Sequence, residues 1–229
     1  MISGVRSLAD FVLTNSFSGL SAIQVRQSAR RLAAGALAAL LVLGAGAASA
    51  DPADGGAGAA WGLEALMRAL SEVKHAQGRF VERKHLAILN APLEFSGTLS
   101  YSAPGRLEKR TLSPEPATMV VDGERLVFED GGENQRRTLV LRDHPAVWGL
   151  VESIRSTLAG DLALLRRFYQ VRLEGGERGW RLLLTPLDAQ MRESVQEIRL
   201  GGSGSHVTSV EVLETGGDRS LMTITGEAP

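Results

Sequence analysis

Four histidines, at His75, His85, His144 and His206, are the side chains of this sequence best suited to proton transfer or metal ligation near neutral pH. None stands four residues from another, the spacing of a helical metal pair, and no carboxylate cluster accompanies them. His144 precedes Pro145 at a predicted helix entrance, a turn position rather than a ligand position. Glu129-Asp130 is an acid pair beside a glycine-rich turn, but adjacent strand residues face opposite sides, so the two carboxyls do not converge on one substrate. The run Gly201-Gly202-Ser203-Gly204-Ser205 has the glycine content of a phosphate loop. It lies between two predicted strands with no helix after it, and reads as a hairpin. There is no G-x-S-x-G elbow, P-loop or dinucleotide fingerprint.

The chain contains no cysteine, which excludes disulfides, thiolate chemistry, Cys-based metal sites and a lipid-modified N-terminal Cys. Nothing in these motifs argues for catalysis or for a metal or cofactor, and a protein that is not an enzyme is the expectation. A triad assembled from distant residues, making an envelope hydrolase, is the alternative that the motifs leave open.

The elements that must position any site begin late in the chain. Arg26, Arg30 and Arg31 precede an apolar run from Leu32 to Ala48, and Ala48-Ser49-Ala50 has the small-residue form of a signal-peptidase site. Residues 1–50 therefore read as a secretory signal peptide, with an n-region so long that Val25 is a plausible true start. The apolar run falls short of the roughly 20 residues of a membrane span. Export without a lipid tether implies a soluble resident of the periplasm or a protein secreted further.

Removing 50 of 229 residues leaves 179, enough for one domain with a sizeable core. Four Arg and one Asp leave with that segment, so 21 basic and 25 acidic residues remain, a net charge of about −4. No basic surplus points to nucleic acid or an anionic membrane surface.

Residues 51–60, rich in Gly, Ala and Pro, read as a flexible leader, and the folded domain is expected over 61–229. Leu63, Leu66, Met67, Leu70 and Val73 lie on one face of a helix that should end near His75. Leu93, Phe95, Leu99 and Tyr101 alternate with polar residues as a half-buried strand does. Further strands are predicted over 106–112, 118–121, 125–129 and 135–142, with Asp122-Gly123 as a hairpin turn. Trp148, Val151, Ile154, Leu158, Leu162 and Leu165 then recur at helical spacing, with Gly160-Asp161 as a break and Asp161 as an N-cap. Five more strands are read at 168–174, 180–185, 194–200, 207–213 and 219–225. Ten or eleven strands joined by short turns make an antiparallel sheet too large to stay flat, so it must curl, and the helical segments are what can fill its concave side.

From Gly97 to Leu126 the sequence resembles the periplasmic lipoprotein carrier family, the LolA proteins. The resemblance rests on Gly97-x-Leu99-x-Tyr101, Pro104, Leu107, Pro114, Val120-x-Asp122-Gly123 and Leu126, then on Leu184-Thr185-Pro186 and Asp218-Arg219-Ser220 in the same order. It implies a mainly β fold with helices, an incomplete and strongly curved antiparallel β-barrel whose open concave face the helices cover. It also implies a soluble carrier that binds acyl chains in an apolar cavity. Its partners would be a lipoprotein or lipid cargo, an inner-membrane releasing complex and an outer-membrane acceptor, with the carrier a monomer. A lipid- or partner-sensing module of the same fold is the alternative function.

The rows expected to line the cavity are Leu93, Phe95, Leu99 and Tyr101; Leu107; Met119 and Val121; Leu126 and Phe128; and Leu139 and Leu141. The expected lid residues are Trp148, Leu150, Ile154, Leu158 and Leu162. Periodicity alone favours an ordinary packed core with no cavity, and the resemblance reverses that balance in favour of the cavity. Such a cavity is expected to be loose and to lack strong polar anchors. Family carriers have, before the proline that is here Pro104, an arginine that latches the lid. This chain has Ala103 there, and Arg106 is the candidate replacement.

Overall fold

The computed structural model describes residues 61–131 and 135–226, so the predicted signal peptide and leader lie outside the described residues. Helix α1, Leu63–Ser71, forms where the leucine spacing predicts it and buries Leu66, Met67 and Leu70. It ends earlier than expected, because His75 already belongs to a strand.

Six antiparallel strands follow: β1 His75–His85, β2 Leu93–Ser102, β3 Arg106–Ser113, β4 Ala117–Asp122, β5 Arg125–Asp130 and β6 Gln135–Val140. A 3-10 turn, Leu141–Asp143, leads to helix α2, Pro145–Ala159, and helix α3, Leu162–Phe168. Then come β7 Tyr169–Gly176, β8 Gly179–Pro186, a short helix α4 Ala189–Arg192, β9 Val195–Ser203, β10 His206–Glu214 and β11 Arg219–Gly226.

All eleven strands belong to one sheet, in the order β6-β5-β4-β3-β2-β1-β11-β10-β9-β8-β7. The first six run outward to one edge, and the last five return inward from the other until β11 pairs with β1. The sheet is an open barrel with edges at β6 and β7. Helices α2 and α3 are the chain's path between those two edges, so they cover the open side by topology.

Strand β1 has no counterpart in the sequence reading. Its inward positions are Gly78, Phe80, Glu82 and Lys84, all buried. Two of the four are charged, so the alternation of apolar and polar residues that marks a half-buried strand is missing. The extra helix α4 was likewise unexpected. Its N-terminus is capped by Asp188, whose carboxylate accepts from the Met191 N–H at 2.9 Å.

The helix break at Gly160-Asp161 forms as read. Gly160 ends α2 at φ 68°, where a Cβ would lie 2.2 Å from the Met67 carbonyl oxygen of α1. Glycine alone allows both the left-handed turn and that approach. Asp161 caps α3, its carboxylate accepting from the Leu164 N–H at 2.8 Å.

Candidate functional site

The inner face of the sheet and the underside of its helices enclose two apolar clusters. The larger joins α1 to Phe80, Phe95, the Leu182, Leu184, Ile198 and Leu200 patch of β8 and β9, and Leu150 and Leu165 from the helices. The smaller gathers Val121, Leu126, Leu141, Val147 and Val151, with Leu107, Met119, Leu139 and Trp148 against it. Helix α2 thus serves both, giving Leu150 to one and Val147 and Val151 to the other.

The residues predicted for the cavity are divided between these clusters. Phe95 is buried in the larger, and Leu93 and Leu99 pack against it. Val121, Leu126, Leu107, Met119 and Leu139 belong to the smaller. Tyr101 is buried and Phe128 half-buried. Leu141 is in the smaller cluster but sits in the 3-10 turn, because pairing with β5 ends at Val140 opposite Arg125. Of the lid residues, Leu150 is buried, Leu162 packs on the larger cluster and Trp148 on the smaller, while Ile154 and Leu158 are half-buried. The Trp148 ring also lies 5.7 Å from Phe168, tilted by 57°, which ties α2 to α3.

Helix α2 is joined to the sheet by a residue the sequence reading passed over. Arg155 of α2 donates from Nη1 to the Gly123 carbonyl oxygen in the β4–β5 turn at 2.9 Å, and to Glu152 Oε1 at 3.0 Å. Glu152 also accepts from Trp148 Nε1 at 3.2 Å. The Arg155 guanidinium presses on the β2–β3 turn, where a Cβ on Gly105 would lie 2.8 Å from Arg155 Nε. Tyr101 lies close enough to feel the charge: burial raises its pKa and Arg155 partly lowers it. Arg106, the expected replacement, does not reach the lid. It pairs within the sheet, with Asp122 Oδ2 at 2.9 Å and Glu108 at 3.7 Å, because β3 points it to the outer, solvated side. On the other side of the opening, the buried Tyr169 hydroxyl donates to the Gly149 carbonyl of α2 at 2.9 Å, and burial pushes its pKa up.

The inner face is not uniformly apolar. Inward positions of β3 continue past Leu107 to Lys109 and Thr111, both buried. Lys109 Nζ lies 2.6 Å from Glu82 Oε2 and 4.9 Å from the Phe80 ring centroid. Ser220 Oγ donates to the other Glu82 oxygen at 2.5 Å, and Lys84 approaches Glu214 at 3.7 Å. A cavity without strong polar anchors was the expectation, and this network departs from it. The period of two that places Leu107 inward could have found Lys109 and Thr111 as well.

The histidines do not converge. His75 opens and His85 closes β1, His144 is the N-cap residue of α2 without a side-chain cap bond, and His206 opens β10. Arg219 pairs with Glu211 at 3.7 Å, while Asp218 accepts from the Ala87 N–H at 2.8 Å.

Residues 55–229 match the family model described as outer membrane lipoprotein carrier protein LolA-like. The chain belongs to that LolA-like family. No curated protein matches the chain. Among solved structures it is similar to a LolA superfamily protein of Nitrosomonas europaea, at 12% identity over 73% of this chain and 94% of that one, with a TM-score of 0.40. It is also similar to MucB in the Pseudomonas aeruginosa MucA/MucB complex, at 16% identity over 72% of this chain and 57% of the other, TM-score 0.40. A third likeness is to a lipoprotein-sorting protein domain from Vibrio parahaemolyticus, at 7% identity over 73% and 92%, TM-score 0.37. In this LolA-like chain the bond between α2 and the sheet is made from the helix side. The arginine stands on α2 and the acceptor on the sheet, with Ala103 at the position that the resemblance assigns to the latch.

Proposed function

We propose that this protein carries the acyl chains of a lipoprotein or related lipid against the inner face of its sheet, beneath α2 and α3, from the inner to the outer membrane. In this reading residues 1–50 are a cleaved signal peptide, residues 61–229 are the carrier domain, and the protein works in the periplasm. A releasing complex at the inner membrane loads it and an acceptor at the outer membrane unloads it. No bond is made or broken by the carrier itself.

The observation that carries the reading is the split allegiance of α2. It is shared between two apolar clusters and joined to the sheet at Gly123 by the half-buried side chain of Arg155. Moving α2 away from the smaller cluster would uncover Val121, Leu126, Met119 and Leu139 for a guest without dismantling the larger one. Membership of a carrier family supports the same reading.

The energetics suit a carrier. Each buried methylene contributes about 0.8 kcal/mol, so two or three acyl chains taken from water would far exceed the roughly 20 kcal/mol ceiling of non-covalent binding. Cargo passing from membrane to protein to acceptor never enters water, and only differences between apolar surroundings count.

The test is to incubate the purified protein with inner-membrane vesicles carrying a labelled lipoprotein or lipid, then add outer-membrane acceptor vesicles. Release into a soluble complex followed by delivery is the expected result. No extraction would overturn the reading, and extraction without delivery would point to a sensing module instead.

A further inference from the structure

We infer that β7 is the docking edge for a second copy of this chain, the two β7 strands pairing antiparallel about Leu173 in a two-fold dimer. The inference is independent of the carrier reading. The resemblance implies a monomer, whereas this edge has the features of a strand that pairs.

An open sheet leaves two edge strands, β6 and β7, and the chain treats them differently. Strand β6 has Arg136 and Arg137 in succession, opposite Glu129 and Phe128 of β5, so each of its faces carries a cation. A charge pointing inward is a usual guard against edge-to-edge pairing. Strand β7 has no lysine, no proline and no inward charge, and it pairs with β8 without a register shift. Its inward Val171 and Leu173 pack against the larger apolar cluster. Arg172 and Glu174 face outward, with side chains 67% and 41% exposed.

The register of the hairpin fixes where the free backbone groups of β7 lie. The Leu187 N–H donates to the Phe168 carbonyl oxygen at 2.9 Å, which makes Phe168 and Leu187 a hydrogen-bonded pair. Bonded and non-bonded pairs alternate from there along the ladder. Tyr169 with Pro186, Val171 with Leu184 and Leu173 with Leu182 are therefore non-bonded pairs, whose N–H and C=O groups turn away from β8. Pro186, which has no N–H, fits that phase. Among the described residues, the backbones of Val171 and Leu173 make no hydrogen bond to any other element. Such groups are the template on which an added strand is laid down.

The side chains select the occupant and its register. Between two β7 strands the outward-turned backbone positions must face one another, so the allowed registers differ by slides of two residues. Setting Leu173 against its own copy brings Arg172 of each chain opposite Glu174 of the other, twice about the two-fold axis. The neighbouring registers centre on Arg172 or on Glu174 and oppose like charges. Opposite charges directly across a ladder attract, and like charges repel. The edge is thus its own complement in a single register, which is what an isologous contact between identical chains requires. Within one chain Arg172 already lies 3.1 Å from Glu174, and Arg181 lies 4.0 Å from it, so the second copy would extend an existing charge network.

Sedimentation equilibrium of the purified protein between about 1 and 300 µM tests the inference, and a reversible monomer–dimer equilibrium is the expected result. R172E and E174R each set like charges across the two-fold axis and should each weaken association at least tenfold. Circular dichroism should stay that of the wild type, because both side chains lie on the outer surface. An equimolar mixture of the two variants puts opposite charges back at both contacts and should recover association to within threefold of the wild type.

A monomer at every concentration, or a dimer that either single variant leaves intact, would overturn the inference. So would two variants that dissociate and do not recover on mixing, because the charges would then not face each other. None of these outcomes bears on lipid extraction in the vesicle assay, so the carrier reading stands or falls separately.

Discussion

Arg155 Nη1 lies 2.9 Å from the carbonyl oxygen of Gly123, and this bond joins the C-terminal half of α2 to the tip of the β4–β5 hairpin. It connects α2 to the half of the sheet that carries the smaller apolar cluster. A guanidinium bound to a carbonyl and to Glu152 at once is a charge-assisted contact, stronger than a neutral one.

Arg155→Ala should therefore lower stability by about 1.5–3 kcal/mol, the range for a hydrogen bond that involves a charged group. Hydrogen exchange should accelerate over 145–159 while β8 and β9 stay protected. Arg155→Lys, which keeps the charge but not the fork, should recover only part of the loss. Uniform acceleration across the whole sheet would mean that Arg155 supports the fold at large and does not specifically fasten the lid.

The Lys109–Glu82 pair makes a second prediction. Breaking it with K109M strands a buried carboxylate and should destabilise the protein by about 3–5 kcal/mol, while K109M/E82L should regain most of that. The pH dependence has a definite sign. Unfolded lysine keeps its proton up to about 10.5, and folded Lys109 gives it up at lower pH because of burial. The unfolded state then holds more protons in that window, so this residue's contribution to stability rises with pH across it. Urea titrations of wild type and K109M between roughly pH 8 and 10 check this. Their difference should grow in favour of the wild type. The ceiling on pH matters because Tyr101 and Tyr169 have raised pKa values and weaken the fold as pH passes 10.

Gly97 opens the Gly-x-Leu-x-Tyr run and sits where β2 and β3 approach closely. A Cβ there would lie 1.9 Å from the Arg110 carbonyl oxygen and 3.0 Å from the Phe80 ring. Backbone cannot yield as a side chain can, so Gly97→Ala should cost about 3 kcal/mol, the upper part of the overpacking range. Gly149→Ala clashes instead with the Met191 side chain at 2.2 Å, and M191A should relieve it. Thermal unfolding of G97A, G149A and G149A/M191A separates the two cases. Equal losses in the two single variants would contradict the distinction.

Leu158 is half-buried near the end of α2. Leu158→Glu should reduce lipid uptake at least several-fold in the vesicle assay while the far-ultraviolet spectrum stays that of the wild type. A protein unfolded at room temperature would instead place Leu158 in a solid core.

Much of this architecture can be read from local pattern. Leu93, Phe95, Leu99 and Tyr101 mark β2 because alternation survives where one face meets apolar neighbours and the other meets water. Leu63, Leu66, Met67 and Leu70 mark α1, and Gly160-Asp161 marks the break between the lid helices. The run from Gly97 to Leu126 places the chain in its family before any coordinate is known.

What the tertiary structure decided are the points where a residue's role depends on a partner distant in sequence. Strand β1 is hidden because Glu82 and Lys84 stand where apolar residues would, and that burial is made tolerable by partners distant in sequence, Ser220 and Lys109 for Glu82, 138 and 27 residues away, and Glu214 for Lys84. Arg155 looks like any polar residue on a helix until Gly123, 32 residues earlier, is brought beneath it. Hydrophobic period is a property of neighbours along the chain, so sequence determines it. The satisfaction of a buried charge is a property of neighbours in space, and only the folded sheet supplies those.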